Sequence, residues 1–174
     1  MKVTIEQLRE MINNNEDVSN VDTSDITDMS FLFYKNKTFN QDISKWDVSN
    51  VKTIEAMFAY SLFNGDISQW NVSNVINMSG AFQKSLFNCD ISKWDVSNVK
   101  DMKSIFYKSV FNNDISQWNV SNVYDMSYMF AFSYFNQPLK KWNTISLEKA
   151  TGMFLNSYCF NQSMYYYNFY VAIY

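Results

Sequence analysis

Apolar residues along this chain recur in one fixed order, and the order repeats every 24 residues. Phe39, Phe63, Phe87, Phe111 and Phe135 mark the period, and Phe160 follows after 25 residues. Residues 39–62 read FNQDISKWDVSNVKTIEAMFAYSL, and residues 63–86 read FNGDISQWNVSNVINMSGAFQKSL. Two further copies are nearly intact, the fifth has drifted to FNQPLKKWNTISLEKATGMF, and a weaker unit, VSNVDTSDITDMSFLF, precedes them at 18–33. One such unit cannot bury its own apolar face, so the units must stack.

Within a unit, Trp70 and Val72 alternate with Gln69 and Asn71. That period of two predicts a short strand with Trp and Val inward. Ile67, Trp70 and Val72 also fit the L-x-x-L-x-L spacing of a leucine-rich repeat. Ser73 then stands where a helix N-cap would be, and Val75, Met78 and Phe82 follow at i, i+3 and i+7, which predicts a short helical segment. The expectation is an α/β, leucine-rich-repeat-like solenoid with one short parallel β-strand and one short helical segment per 24-residue repeat. Strands are expected near Val21, Trp46, Trp70, Trp94, Trp118, Trp142 and Tyr167.

Stacking in this register aligns like with like. Trp46, Trp70, Trp94, Trp118 and Trp142 form one inward row. Phe58, Phe82, Phe106, Phe130 and Phe154 form a second, and Ile54, Met78, Met102 and Met126 a third. Asn40, Asn64, Asn88, Asn112, Asn136 and Asn161 are expected to form a buried asparagine ladder at the turn. At the start, Thr4 with Gln7 has the spacing of a capping box, and Ile5, Leu8 and Ile12 make an apolar face. This divides a single domain into a capping helix within 1–17, repeats over 18–159 and a partial last repeat over 160–174. The last segment begins another strand without its helix, and such an edge invites pairing. Self-association through Tyr165, Tyr167 and Phe169 is therefore expected.

Composition narrows the chemistry. There is no histidine, which removes the commonest metal ligand and the usual base near neutral pH. A net charge of -3 argues against nucleic-acid binding, which needs a clustered basic face. Three glycines make no phosphate loop, and one Asp per repeat (Asp42, Asp66, Asp90, Asp114) supplies too few oxygens for calcium. These aspartates are expected to hold turn amides instead. Cys89 and Cys159, almost three repeats apart, are expected to be free thiols. Neither a cofactor nor a catalytic site is expected, and no membrane-inserting stretch is read. A sugar-binding reading would need exposed aromatics on the strand face, and the repeat alignment offers none there.

What remains is the outward face of the expected strands. It carries Lys45 and Asp47, Gln69 and Asn71, Lys93 and Asp95, Gln117 and Asn119, then Lys141 and Asn143. Lys-Asp and Gln-Asn pairs alternate, so identical charges do not fall on adjacent strands, where they would repel. These ten residues are the candidate site for a protein partner. The function expected is a non-catalytic binding module, adhesin-like or host-facing, with an intracellular interaction scaffold as the alternative. Residues 1–15 lack the apolar run of a signal peptide, so a cytoplasmic location stands beside the surface one.

The string F-N-x-D-I-S-x-W-[DN]-V-S-N-V-x-x-M-x-x-x-F resembles the BspA-like leucine-rich-repeat surface proteins, whose repeats also occur in mycoplasma-type surface lipoproteins. The segment VDTSDITDMSFLF at 21–33 resembles the usual start of such arrays. The resemblance spans roughly residues 18–164. It implies a solenoid and a surface or adhesive role, and it names no ligand.

Overall fold

A computed structural model describes residues 1–158 of the chain. Each repeat in it is a succession of tight turns. In Asp66–Trp70, the Ser68 amide donates to Asp66 Oδ1 at 2.9 Å, and the Trp70 amide donates to the Ile67 carbonyl at 3.1 Å. In Asn71–Val75, the Ser73 amide donates to Asn71 Oδ1 at 3.2 Å, and the Val75 amide to the Val72 carbonyl at 2.9 Å. The pattern returns when the Ser79 amide donates to Asn77 Oδ1 at 2.8 Å and the Ala81 amide to the Met78 carbonyl at 3.1 Å. So D-I-S-x-W, N-V-S-N-V and N-M-S-G-A are one device used three times. A short polar side chain holds the amide two residues on, and the apolar residue between them closes a turn inward.

The turns continue through residues with left-handed backbone. Two positions per coil have it throughout. The first is Phe31, Ala56, Gly80, Ser104, Tyr128 and Gly152, and the second is Lys35, Tyr60, Lys84, Lys108, Phe132 and Asn156. Glycine suits such a position because it has no Cβ to clash, yet only Gly80 and Gly152 use it. Between these turns, alternate amides point to the next coil. Met78, Gly80, Phe82 and Lys84 donate to the carbonyls of Asp101, Lys103, Ile105 and Tyr107 at 2.8–3.0 Å. Each coil-to-coil junction repeats this in the same direction. Isolated parallel bridges mark the register: Asp28 with Thr53, Thr53 with Asn77, Asn77 with Asp101, Asp101 with Asp125, and Asp125 with Lys149.

This corrects the expected architecture. The described residues hold one helix, Ile5–Asn13 (α1), and no strand or sheet, so the fold is not an α/β leucine-rich-repeat-like solenoid. Neither the strand at Trp-x-Val nor the helical segment after it forms. Alternating burial at Trp70 and Val72 arises because Trp70 closes one turn and Val72 lies inside the next. A helix over Val75–Phe82 would need every amide bonded within the segment, whereas half of these amides serve the next coil. Recurrent Asp, Asn and Ser offer the backbone that alternative, and so short a run gains too little from helix propagation to resist it.

The inward rows hold despite the change of element. All five tryptophans are at most 5% exposed. Each indole N–H donates to a carbonyl of the preceding coil at 2.9–3.1 Å: Trp46 to Val18, Trp70 to Ile43, Trp94 to Ile67, Trp118 to Ile91 and Trp142 to Ile115. Phe58, Phe82, Phe106, Phe130 and Phe154 stack with centroids 5.5–5.8 Å apart. Ile54, Met78, Met102 and Met126 are buried beside them.

At the N-terminal end, Thr4 and Gln7 form the capping box that their spacing predicts, and Leu8 and Ile12 are buried. Arg9, the chain's one arginine, reaches from α1 to donate to the Ser30 carbonyl at 2.6 Å. In the following coils the equivalent carbonyls, of Glu55 and Ser79, accept amides from the coil before. The guanidinium therefore takes the place of a missing coil. The expectations for Cys159, Asn161, Tyr165, Tyr167, Phe169 and the partial repeat at 160–174 fall outside the described residues.

Candidate functional site

Lys45, Asp47, Gln69, Asn71, Lys93, Asp95, Gln117, Asn119, Lys141 and Asn143 are all exposed. They sit on turns rather than strands. The second member of each pair is occupied: Asp47, Asn71, Asp95 and Asn119 accept the amides of Ser49, Ser73, Ser97 and Ser121, and Asn143 accepts that of Ile145. Hydrogen bonds from the hydroxyl and amide of Ser49 and Ser97 hold the Asp47 and Asp95 carboxyls below their ordinary range. Gln69 and Gln117 donate to the hydroxyls of Ser68 and Ser116. The groups left to meet a partner are chiefly the ammoniums of Lys45, Lys93 and Lys141, carried by alternate coils with a glutamine on the coil between.

The aspartates weighed as a metal row each hold a serine amide at 2.8–2.9 Å: Asp42 that of Ser44, Asp66 of Ser68, Asp90 of Ser92 and Asp114 of Ser116. Cys89 is partly buried, and its thiol donates to the Asn64 carbonyl at 3.1 Å. Burial first, and Asp66 second, push that thiol up from its ordinary pKa, the opposite of what a nucleophile needs.

A second feature lies elsewhere on each coil and was not read from the sequence. Ala56, Gly80 and Ser104, on successive coils, floor a shallow trough of about 300 Å³. Tyr34, Tyr60 and Gln83 line it together with Glu55, Ser79 and Lys103, and Phe31 stands at its first-coil end. Phe31 and Tyr34 are 47% and 40% exposed, so these rings present faces to solvent. Tyr34 meets Phe31 and Tyr60 edge-on at 5.8 and 5.7 Å. The ammoniums of Lys35 and Lys84 lie over the Tyr34 and Tyr60 rings at 5.0 and 4.8 Å. The signal for it was the left-handed column, where three small residues follow Phe31, and that column is invisible while the segment is read as a helix.

The sequence matches the family model described as Mycoplasma protein of unknown function, DUF285, over residues 2–110 and again over 84–172. The chain belongs to this family. The match bears out a mycoplasma-type repeat family and gives no support to the BspA-like name. No curated protein and no solved structure matches the chain. Among the described residues of this DUF285 protein, no helix is long and apolar enough to cross a membrane.

Two asparagine ladders tie the coils of the DUF285 chain together. In the first, the amides of Asn88, Asn112 and Asn136 donate to the side-chain oxygens of Asn64, Asn88 and Asn112 at 2.7–2.9 Å. This is the ladder the sequence suggests, but Asn64, Asn88 and Asn112 are exposed rather than buried. The second was missed. Asn50, Asn74, Asn98 and Asn122 donate to the carbonyls of Ser24, Ser49, Ser73 and Ser97 at 2.7–2.8 Å. Its signal was the unchanged Asn of V-S-N-V in all four intact copies.

Proposed function

We propose that this DUF285 protein is a non-catalytic binding module, surface-displayed and adhesin-like, that engages a protein partner through its repeated polar columns. One observation carries the reading. Backbone hydrogen bonds lock successive coils in register, so Lys45, Gln69, Lys93, Gln117 and Lys141 form an exposed array repeated coil by coil. Extended repetitive surfaces of this kind suit partners that are themselves extended. Because the Asp and Asn of each pair are engaged in turns, partner contacts fall on the lysines and glutamines. An acidic stretch on the partner is the natural complement to three spaced ammoniums.

The test is capture from a panel of host-surface and matrix proteins by the intact chain and by the Lys45→Glu, Lys93→Glu, Lys141→Glu triple variant. The proposal expects a saturable partner that the triple variant loses while its melting temperature stays unchanged. Capture that is undiminished by the triple variant would refute the assignment of the columns.

A further inference from the structure

We propose that the trough floored by Ala56, Gly80 and Ser104 binds a short acidic oligosaccharide. Its lining has the composition such a ligand needs. A pyranose ring has one face of C–H groups and an edge of hydroxyls. Here the exposed rings of Phe31, Tyr34 and Tyr60 meet the first requirement. The Glu55 carboxylate, the Gln83 amide and the Ser79 and Ser104 hydroxyls meet the second. At about 4.8 Å per parallel-paired coil, the floor runs about 10 Å from Ala56 to Ser104, which suits a short linear saccharide.

Charge selects among sugars. Lys103 lines the trough, and Lys35 and Lys84 rest on two of its rings, against the single carboxylate of Glu55. The trough is thus locally positive on a chain whose net charge is -3. A saccharide bearing carboxylate or sulfate satisfies both the rings and the ammoniums. A neutral sugar leaves the ammoniums without a ligand group, and an acidic peptide leaves the ring faces unused.

The backbone adds weight. Phe31, Lys35, Tyr60 and Lys84 have φ values of 60°, 58°, 61° and 51°, in the left-handed region. Holding bulky side chains there costs on the order of 1 kcal/mol each. Glycine serves the fold at the equivalent positions 80 and 152. The fold alone therefore gives no reason for an aromatic ring or a lysine at these four positions.

Isothermal titration of the intact chain tests the proposal with three tetrasaccharides: hyaluronan (carboxylate only), a heparin fragment (sulfate and carboxylate) and chitin (neutral). The result expected is sub-millimolar, salt-sensitive binding of at least one acidic tetrasaccharide, with chitin weaker by about tenfold or more. The hyaluronan and heparin arms separate carboxylate from sulfate as the anion recognised. Tyr60→Gly should weaken binding by about tenfold or more without lowering the melting temperature, because glycine is at ease at that φ. Lys103→Glu should weaken binding similarly, and Lys93→Glu, outside the trough, should not change it. The proposal is overturned if neither acidic sugar binds, if chitin binds as well, or if Tyr60→Gly leaves binding intact. It is overturned too if a poly-glutamate peptide binds as tightly and is lost in the same variants. None of these outcomes bears on the Lys45, Lys93 and Lys141 columns, whose triple variant tests the protein-binding reading separately.

Discussion

Trp94→Ala should be among the most damaging single changes in the stack. The indole is 4% exposed, lies 6.1 Å from the Phe82 ring, and donates its N–H to the Ile67 carbonyl at 3.1 Å. Emptying the space of a buried aromatic costs about 3–5 kcal/mol, and the lost hydrogen bond adds about 0.5–1.5 kcal/mol. The Ile67 carbonyl also accepts the Trp70 amide at 3.1 Å, so it is not orphaned and no further desolvation penalty arises. The sum is about 4–6 kcal/mol. Trp94→Phe keeps most of the ring contact and should cost about 1–2 kcal/mol. Lys93→Ala, on an exposed neighbour, should stay within about 0.5 kcal/mol. Urea denaturation at fixed pH gives all three, with unchanged slopes confirming that the compared states are the same. A Trp94→Ala cost below about 1.5 kcal/mol, or a Trp94→Phe cost equal to it, would refute the packing argument.

Three further outcomes follow from the turns. Ser104→Gly should stabilise by about 0.5 kcal/mol, because Ser104 sits at φ 55° in a column that already holds Gly80 and Gly152; a helix there would make the same change destabilising. Asn98→Ala removes the donor to the Ser73 carbonyl at 2.8 Å and should cost about 0.5–1.5 kcal/mol in the same melts. The pH dependence has a definite sign. Hydrogen bonds from Ser44, Ser68 and Ser92 hold Asp42, Asp66 and Asp90 below their ordinary pKa. Their stabilisation is complete above about pH 4, the unfolded value, and is lost as pH falls through the lower folded values. The melting temperature should fall below that point, and a flat profile down to about pH 2 would contradict the assignment. Asp101 runs the other way: burial first, and Asp125 among the other causes, raise its pKa. Asp101→Asn keeps the turn acceptor, as Asn77 does on the coil before. It should therefore stabilise at neutral pH by about 0.5 kcal/mol or less and lose that advantage in acid.

The period, the inward rows and the N-terminal capping box were legible because each rests on which residues are apolar and how far apart they recur. Trp94, Phe82 and Met78 stay inside whichever element carries them, since the 24-residue register aligns every coil with the next. The element itself was not legible from burial. Trp70 and Val72 alternate with polar residues as a strand does, but Asp66 and Asn71 each seize the amide two residues on and bend the chain. A polar residue before every apolar one, followed by Ser, was the available clue. The left-handed positions hid better, because Lys84, Tyr60 and Phe132 are residues that seldom adopt that backbone. With them hidden, the trough at Tyr34 and Tyr60 was hidden too, and an aromatic binding surface was looked for only on the Trp face. The ten polar column residues were legible as exposed, but not the division of labour within each pair.

The central claim is that alternate amides of each coil bond the next coil rather than their own segment. Trans-hydrogen-bond scalar couplings in a deuterated, isotope-labelled sample report donor and acceptor directly. The account predicts cross-peaks from the amide nitrogens of Gly80, Phe82 and Lys84 to the carbonyl carbons of Lys103, Ile105 and Tyr107. Cross-peaks from Phe82 to Met78 and from Lys84 to Gly80, the pattern of a helical turn, would contradict it.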